Sequence, residues 1–347
     1  MVVAICCDGE QGRKMTALAS SQPAVSICVP TYNGADYLAR CLDSILQQTF
    51  SDFEIVAVDD RSDDDTVHIL REYWERDRRL RIFENPRNVG LVGNWNQCIE
   101  HARGEWIKFV FQDDWIAPEC VQRMVDVATE SRALLTVCRR QFVFEGVSDD
   151  FRREFRSPAQ EKSPDAVFQG GGMISAEDAC GAFLQHGLAN VYGEPTAALI
   201  HREAFERYGR FDGRLIQICD LEFWLRIATN CGLSYIPETL AYFRVHSGST
   251  TARNLEGRRF SRSVADPLLV LCEIAYGRHF KNLRAYARSR NRDLVAELSA
   301  RTISEQRWGP FRGDVSWRDL LARHPRLSMP WSSRLRSWAS DLVDRIR

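Results

Sequence analysis

Apolar positions along the first 130 residues alternate between two kinds of pattern. "VSICVP" at 25–30 is apolar and β-branched throughout, the mark of a strand buried on both sides. In the next segment Leu38, Cys41, Leu42, Ile45 and Leu46 recur at i, i+3, i+4, i+7 and i+8, one face of a helix. The alternation then repeats. "FEIVAV" at 53–58, "LRIF" at 80–83 and "WIKFVF" at 106–111 predict three more strands. Val67, Leu70 and Trp74 predict the inner face of one intervening helix, and Trp95, Cys98, Ile99 and Ala102 that of another. Strands alternating with amphipathic helices predict an α/β fold: a doubly wound, mostly parallel sheet with helices on both faces. Ligands of such sheets bind at the carboxyl ends of the strands. Polar chemistry gathers there: "PTYN" follows the first strand, Asp59 and Asp60 the second, Asp113 and Asp114 the fourth.

Beyond 118 the pattern is less regular. Pro118 suits the first turn of a helix that buries Val121, Met124, Val125 and Ala128. "LLTVCRRQFVFE" reads as a strand, and the polar stretch 146–174 with Gly170–Gly172 as a long loop or lid. Ser175 caps a helix running to about 186, "DLEFWLRIA" at 220–228 is a helix, and "LSYIPETLAYFRVH" reads as an extended pair. Residues 1–23 show no period and read as a loose tail, while Arg-rich helical patterns dominate from 256. These breaks divide the chain at 1–23, 24–135, 136–255 and 256–347.

Composition adds limits. Of 347 residues 44% are hydrophobic and 27% charged, ordinary for a globular protein with room for two domains. No apolar run approaches the ~18 residues of a membrane-spanning helix, and the N-terminus lacks a secretory signal's pattern. Eleven cysteines without framework spacing fit reduced thiols and a cytoplasmic location. Net charge is −1 but unevenly placed. Residues 1–250 carry 37 acidic and 26 basic side chains, a balance of −11; residues 251–347 carry 10 and 20, a balance of +10. The basic part either meets something anionic or docks on the acidic part. Within it Trp331, Leu335, Trp338, Leu342 and Ile346 form an amphipathic stripe flanked by arginines. Two readings stand: peripheral contact with a membrane surface, and packing against the core or a second copy of the chain. No nucleic-acid-binding motif is present, so specific nucleic-acid recognition is not expected.

The chemistry is narrowed by what is missing. A dinucleotide-binding dehydrogenase needs a Gly-rich turn after the first strand, and "VPTYNGADY" has one glycine. No G-x-x-x-x-G-K-[ST] loop occurs. Phosphates held without such loops call for a divalent cation, and adjacent carboxylates after a buried strand suit Mg²⁺ or Mn²⁺.

The ordered set V-P-T-Y-N, D-D-x-S, N-x-G, A-x-G-E and Asp113–Asp114, spanning about 25–130, resembles the inverting family 2 nucleotide-sugar glycosyltransferases of the A-type fold (GT-A). The resemblance implies a nucleotide-sugar-binding half over 24–135 and an acceptor-binding half over 136–255, with the region from 256 outside it. It implies that Pro30, Thr31 and Tyr32 line the nucleobase pocket and that Asp60 accepts a base N–H, with Asp59 its substitute. It implies that Asp113 meets ribose or metal and that Asp114 ligates Mn²⁺ or Mg²⁺. The commoner D-x-D-D has a further carboxylate where Phe111 stands, which leaves the ribose contact open. Arg87 in "NPRN" is a candidate phosphate contact or a solvated loop residue. "QICDLEFWLRI" resembles the segment carrying the general base: Asp220 takes that position, with Glu222 and Trp224 on the acceptor side, and Cys219 replaces the usual Glu. "YFRVHSGSTT" resembles R-x-H-x-x-S and makes His246 a third metal ligand or diphosphate contact. The implied function is metal-dependent transfer of a sugar from a nucleotide donor, UDP-linked first, to a glycan or lipid-linked glycan hydroxyl at the inner face of a membrane or in the cytoplasm. Two rivals stay open: a sugar nucleotidyltransferase, whose Gly-rich basic loop is absent, and a non-catalytic nucleotide- or glycan-binding module.

Overall fold

The structure, a computed structural model, describes residues 22–155, 164–168, 170–249 and 265–297. The Trp331–Ile346 stripe and the tail up to residue 21 lie outside the described residues. The chain divides into two compact units, one reaching to Gly213 and resuming over Cys219–Ser249, the other made of Arg214–Ile218 and residues after Ser249.

The first unit is built on strands β1 (Val25–Thr31), β2 (Phe53–Asp59), β3 (Leu80–Glu84) and β4 (Trp106–Phe109), all parallel, in the order β3-β2-β1-β4. Helices α1 (Ala35–Leu46), α2 (Thr66–Arg76) and α3 (Leu91–His101) form the crossovers. All residues of β1 and β2 are buried, and alternate residues serve opposite faces. Val25, Ile27 and Val29 join one core with Leu38, Cys41 and Leu42 of α1 and Leu70 of α2. Cys28, pointing the other way, lies against Cys98 of α3. Helices therefore cover both faces, as the periodicity predicts.

The remaining strands are β5 (Trp115–Ile116), β6 (Leu135–Phe144), β7 (Gly172–Ile174), β8 (Ala198–His201) and β9 (Leu233–Val245). They extend the sheet through β8, antiparallel to both β4 and β6, then β9 beside β6, with β5 and β7 antiparallel to β9. Helices α4 (Cys120–Ser131), α5 (Asp149–Phe155), α6 (Pro164–Val167), α7 (Ala176–His186), α8 (Arg202–Tyr208) and α9 (Cys219–Cys231) complete the unit.

Four local differences from the sequence reading have physical causes. Residues 233–245 are one strand rather than two, because the β6–β9 register steps from Cys138↔Ile236 to Arg139↔Thr239. The step passes over Pro237, which has no N–H for the ladder, so the strand bends and continues. In α2 Tyr73 is buried as well as the expected Leu70, while Trp74 packs partly buried on the same core; the Tyr73 hydroxyl donates to Asp43 at 2.7 Å, and Arg78 lies over Trp74 at 3.5 Å. Pro118 precedes α4 rather than entering it, and its carbonyl accepts the Thr49 N–H. The stretch 146–174 contains α5, α6 and β7, the second anchored by Arg139 on Asp165 at 2.6 and 2.8 Å.

The A-x-G-E segment is structural. A Cβ on Gly104 would come within 2.5 Å of the Ser26 amide, so only glycine lets the chain turn into β4 there. Ser26 accepts the Gly104 N–H and donates to buried Glu54, which also holds Arg81 and Arg103.

The second unit contains α10 (Ala265–Tyr276) and α11 (Lys281–Ser289). Buried Asp266 accepts backbone N–H groups of Ile216, Gln217 and Ile218, and Arg214 pairs with Glu273. No described helix is long and apolar enough to cross a membrane.

Candidate active site

The parallel register sets Thr31 beside Asp59, so the ends of β1 and β2 meet. Thr31 donates to Asp59 Oδ1 at 3.0 Å, and Asp59 also accepts the Ser62 hydroxyl and amide at 2.6 and 2.8 Å. Asp59 thereby latches the two strand ends. The following turns interlock: Asn33 accepts the Asp63 N–H, and Ser62 accepts that of Asn33. Both Asn33 and Arg61 have left-handed backbone, with φ of 47° and 70°. Such non-glycine conformations gather at functional sites.

Asp60 is 2% exposed. It accepts Asn85 Nδ2 and the Val89 amide at 2.8 Å and the Gly90 amide at 2.9 Å. These three hydrogen bonds use three of the about four lone-pair sites of the carboxylate. Buried Asn94 braces the set, accepting from Asn85 at 3.0 Å and donating to the carbonyls of Val58 and Thr31. Pro30 and Thr31 are buried, whereas Tyr32 is 45% exposed and offers a ring face. Its backbone is clamped by Gln112, which accepts its N–H at 2.8 Å and donates to its carbonyl at 3.0 Å. Arg87 is exposed in the 85–90 loop.

Asp114, 1% exposed, accepts the Thr196 hydroxyl at 2.5 Å on one oxygen and the Arg244 amide at 3.0 Å on the other. Burial pushes its carboxyl well above the usual range and the neighbouring Asp113 pushes it further, against the two hydrogen bonds. Asp113 faces His246, with Oδ2 and Nε2 3.2 Å apart. Tyr37 packs on the imidazole with ring centres 4.3 Å apart. The buried Arg244 side chain donates to the Asp113 carbonyl at 2.8 Å, pairs with Glu145 and lies over Tyr37 and Trp115. Among the described residues no group of three or more His, Cys, Asp or Glu side chains is placed to hold a metal ion. With fewer than three such donors gathered, a hard cation here would take most of its shell from phosphate oxygens and water. Mg²⁺ and Mn²⁺ take one or two carboxylates and complete their shells with phosphate oxygens and water, and Asp113 with His246 presents adjacent donors beside a second carboxylate short of positive charge.

Asp220 is the second residue of α9 and is 8% exposed. Burial raises its carboxyl to about 7; the charge of Glu194 adds, while the Leu221 N–H and Arg140 oppose. Asn190 Nδ2 stands 3.4 Å from its Oδ2. Glu222 is turned to Arg226, 2.7 Å away, and Arg226 holds the carbonyls of Tyr208 and Arg210. Trp224 is fully buried and donates to the Gly193 carbonyl at 2.9 Å. Neither therefore presents its side chain to solvent.

Residues 190–196, "NVYGEPT", run between these groups. Asn190 reaches Asp220, Gly193 receives Trp224, Glu194 pairs with buried Arg140, and Thr196 reaches Asp114. Beneath them Lys108 of β4, fully buried, donates to the carbonyls of Thr196 and Ala198. The sequence gives Asn190, Arg140 and Lys108 no role in advance, and marks Glu194 and Thr196 only as part of "GEPTAALIHREAFERYGRFD", which resembles the family's acceptor-side segment. One signal was available: a lysine inside the apolar run "WIKFVF".

The comparisons give the family and the fold. The model of glycosyl transferase family 2 matches residues 26–209. An uncharacterized protein of Mycobacterium tuberculosis (strain CDC 1551) is 30% identical over 248 residues, 69% of this chain and 72% of the relative. Bacillus subtilis EpsH, a putative glycosyltransferase, is 34% identical over 152 residues, 43% of this chain and 44% of its own length. The poly(ribitol-phosphate) beta-glucosyltransferase of Bacillus spizizenii is 36% identical over 116 residues, 33% of this chain and 18% of that enzyme. The chain thus spans less than half the length of these two Bacillus relatives. Staphylococcus aureus TarS, residues 1–349, shares the fold with a TM-score of 0.56 at 19% identity, over 86% of this chain and 78% of that one. With a GT-A sheet and a family match over more than half its length, the chain belongs to glycosyl transferase family 2 and is a glycosyltransferase.

Proposed function

We propose that the chain is a metal-dependent, inverting glycosyltransferase that moves a sugar from a UDP-linked donor to a hydroxyl of a glycan or lipid-linked glycan. The observation that carries the reading is Asp220, a buried carboxyl at a helix start whose proton affinity sits near neutrality. A base is most effective when its pKa lies near the working pH. In the proposed step Asp220 takes the acceptor hydroxyl proton. The acceptor oxygen bonds to the anomeric carbon on the face opposite the diphosphate, and the bond from that carbon to the β-phosphate oxygen breaks with its electron pair. The nucleoside diphosphate leaves, and Asp220 later gives its proton to solvent.

On the donor side, the exposed Tyr32 ring stacks on the base and Asp60 accepts a base N–H through its remaining lone pair. Asp113, Asp114 and His246 would hold Mn²⁺ or Mg²⁺, which when bound neutralises the charge developing on the diphosphate. Two comparisons support UDP and a polymeric acceptor. Solved structures of TarS include complexes with UDP and UDP-GlcNAc. Relatives over a third of the chain include a poly(ribitol-phosphate) beta-glucosyltransferase and a chondroitin synthase. The donor half is assigned to residues 24–135 and the acceptor half to 136–255.

Calorimetric titration with UDP, GDP and dTDP, each with and without Mn²⁺, tests the donor side. Selective UDP binding that needs Mn²⁺ and is lost in Asp114→Ala is expected. Failure of all three nucleotides to bind would turn the reading towards a degenerate binding module.

A further inference from the structure

Lys108 occupies the middle of a strand at the centre of the sheet, where apolar side chains pack at no electrostatic cost. It is 0% exposed. Its ammonium donates to two backbone carbonyls, those of Thr196 and Ala198, and among the described residues to no carboxylate. A buried amine whose hydrogen bonds go to carbonyls is costly to place, so its position needs a physical return.

That return lies one residue away. The Thr196 carbonyl held by Lys108 belongs to the short 3₁₀ turn Pro195–Ala197, and the Thr196 hydroxyl faces Asp114. The Thr196 hydroxyl donates to Asp114 Oδ2, and its oxygen accepts the Phe111 N–H at 3.4 Å. The other Asp114 oxygen accepts the Arg244 amide. Asp114 is thus gripped from both sides, by a backbone amide that no side-chain change removes and by one hydroxyl that a substitution can remove.

We infer that Thr196, set in place from beneath by Lys108, is a positioning residue for Asp114, fixing the carboxylate's orientation for the metal-bound diphosphate. This rests on the donor-site reading above. Supporting groups of this kind change metal affinity by about 10–100-fold when removed, and a hydrogen bond to a charged group carries weight of the same order.

The test is calorimetry on the full chain, with UDP as probe in saturating Mn²⁺ and without Mn²⁺. Thr196→Val should weaken Mn²⁺-dependent UDP binding by about 10–100-fold. Thr196→Ser, which restores the hydroxyl, should stay within about threefold of the parent, the scatter of such contributions. Lys108→Met should cause a loss similar to that of Thr196→Val, and the double variant should lose no more than either single change, because both act through one contact. Metal-free UDP binding, which needs only the base pocket, should be equal in all. Equal weakening by Ser and Val, no weakening by Val, or multiplying losses in the double variant would each overturn the inference. If Lys108→Met does not fold, the Ser–Val comparison decides by itself. A parent protein whose UDP binding ignores Mn²⁺ overturns the inference together with the donor-site reading. A parent that needs Mn²⁺ and a Thr196→Val that binds like it overturns the inference alone.

Discussion

Replacing Asp220 with asparagine should make the protein more stable and far less active, and the stability gain should depend on pH in a calculable way. The carboxyl sits at about 7 in the fold against an ordinary value of 3.8. Its folded value is raised, so the native state keeps the proton that the unfolded chain has released. Between about pH 4 and pH 7 stability falls as pH rises, and above about 7 the full penalty is present. Three units at about 1.36 kcal/mol each put that penalty at about 4 kcal/mol. Asparagine is close in shape and carries no charge, so it escapes the penalty. Urea unfolding of both proteins should give nearly equal stabilities near pH 4. The gap should open to at most about 4 kcal/mol in favour of Asp220→Asn by pH 8. Titrations of groups remote from Asp220 cancel in the difference. Activity should move the other way, rising with pH through about 7 in the parent and falling by at least about a hundredfold in the variant. Two stability curves that stay parallel from pH 4 to pH 8 would mean that Asp220 is ionised and solvated like a surface carboxylate, and would rule out a buried base there.

Glu194→Gln removes a negative charge that raises Asp220, so the midpoint of the pH–activity curve should shift to lower pH; an upward shift would contradict the electrostatics. Trp224→Phe removes the donor to the buried Gly193 carbonyl and leaves unfilled volume. It should cost about 2–4 kcal/mol by urea unfolding. Ser175 and Asp178 form a capping box at the start of α7. Ser175→Ala should cost about 1 kcal/mol in stability and leave turnover unchanged. Burial alone would raise Glu54, but hydrogen bonds from Ser26, Arg103 and Arg81 outweigh it and hold the carboxyl below its ordinary 4.5. Its contribution is present above about 4.5 and lost as pH falls through the lower folded value. Glu54→Gln should therefore destabilise by about 3 kcal/mol at pH 7, with the gap closing in acid as followed by thermal melts.

What could be read before folding was whatever depends on near neighbours. The four parallel strands and three crossover helices follow from apolar period alone, since each element carries its own buried face. The strand-end carboxylates were legible because the topology of a parallel sheet sends every strand end to one edge. Residues whose value comes from distant partners were not. Thr196 matters because it meets Asp114, 82 positions away, and Lys108 because it meets Thr196 at a separation of 88. Nothing local distinguishes that threonine from a surface one. Glu222 and Trp224 suited the acceptor side by motif, yet the turns of α9 direct one to Arg226 and the other to Gly193. Asp59 and Asp60, identical in type and adjacent, divide their work because successive residues at a strand end point to opposite faces. One latches two strands, and the other grips the loop that opens α3.

Inverting transfer with Asp220 as base can be followed with water standing in for the unidentified acceptor. Anomeric proton NMR during slow hydrolysis of a UDP-linked α-hexose in Mn²⁺ reports stereochemistry and base together. The β-anomer should appear first with the parent protein, and Asp220→Asn should release almost none. Early appearance of the α-anomer, or hydrolysis undiminished in Asp220→Asn, would contradict inverting transfer with Asp220 as base.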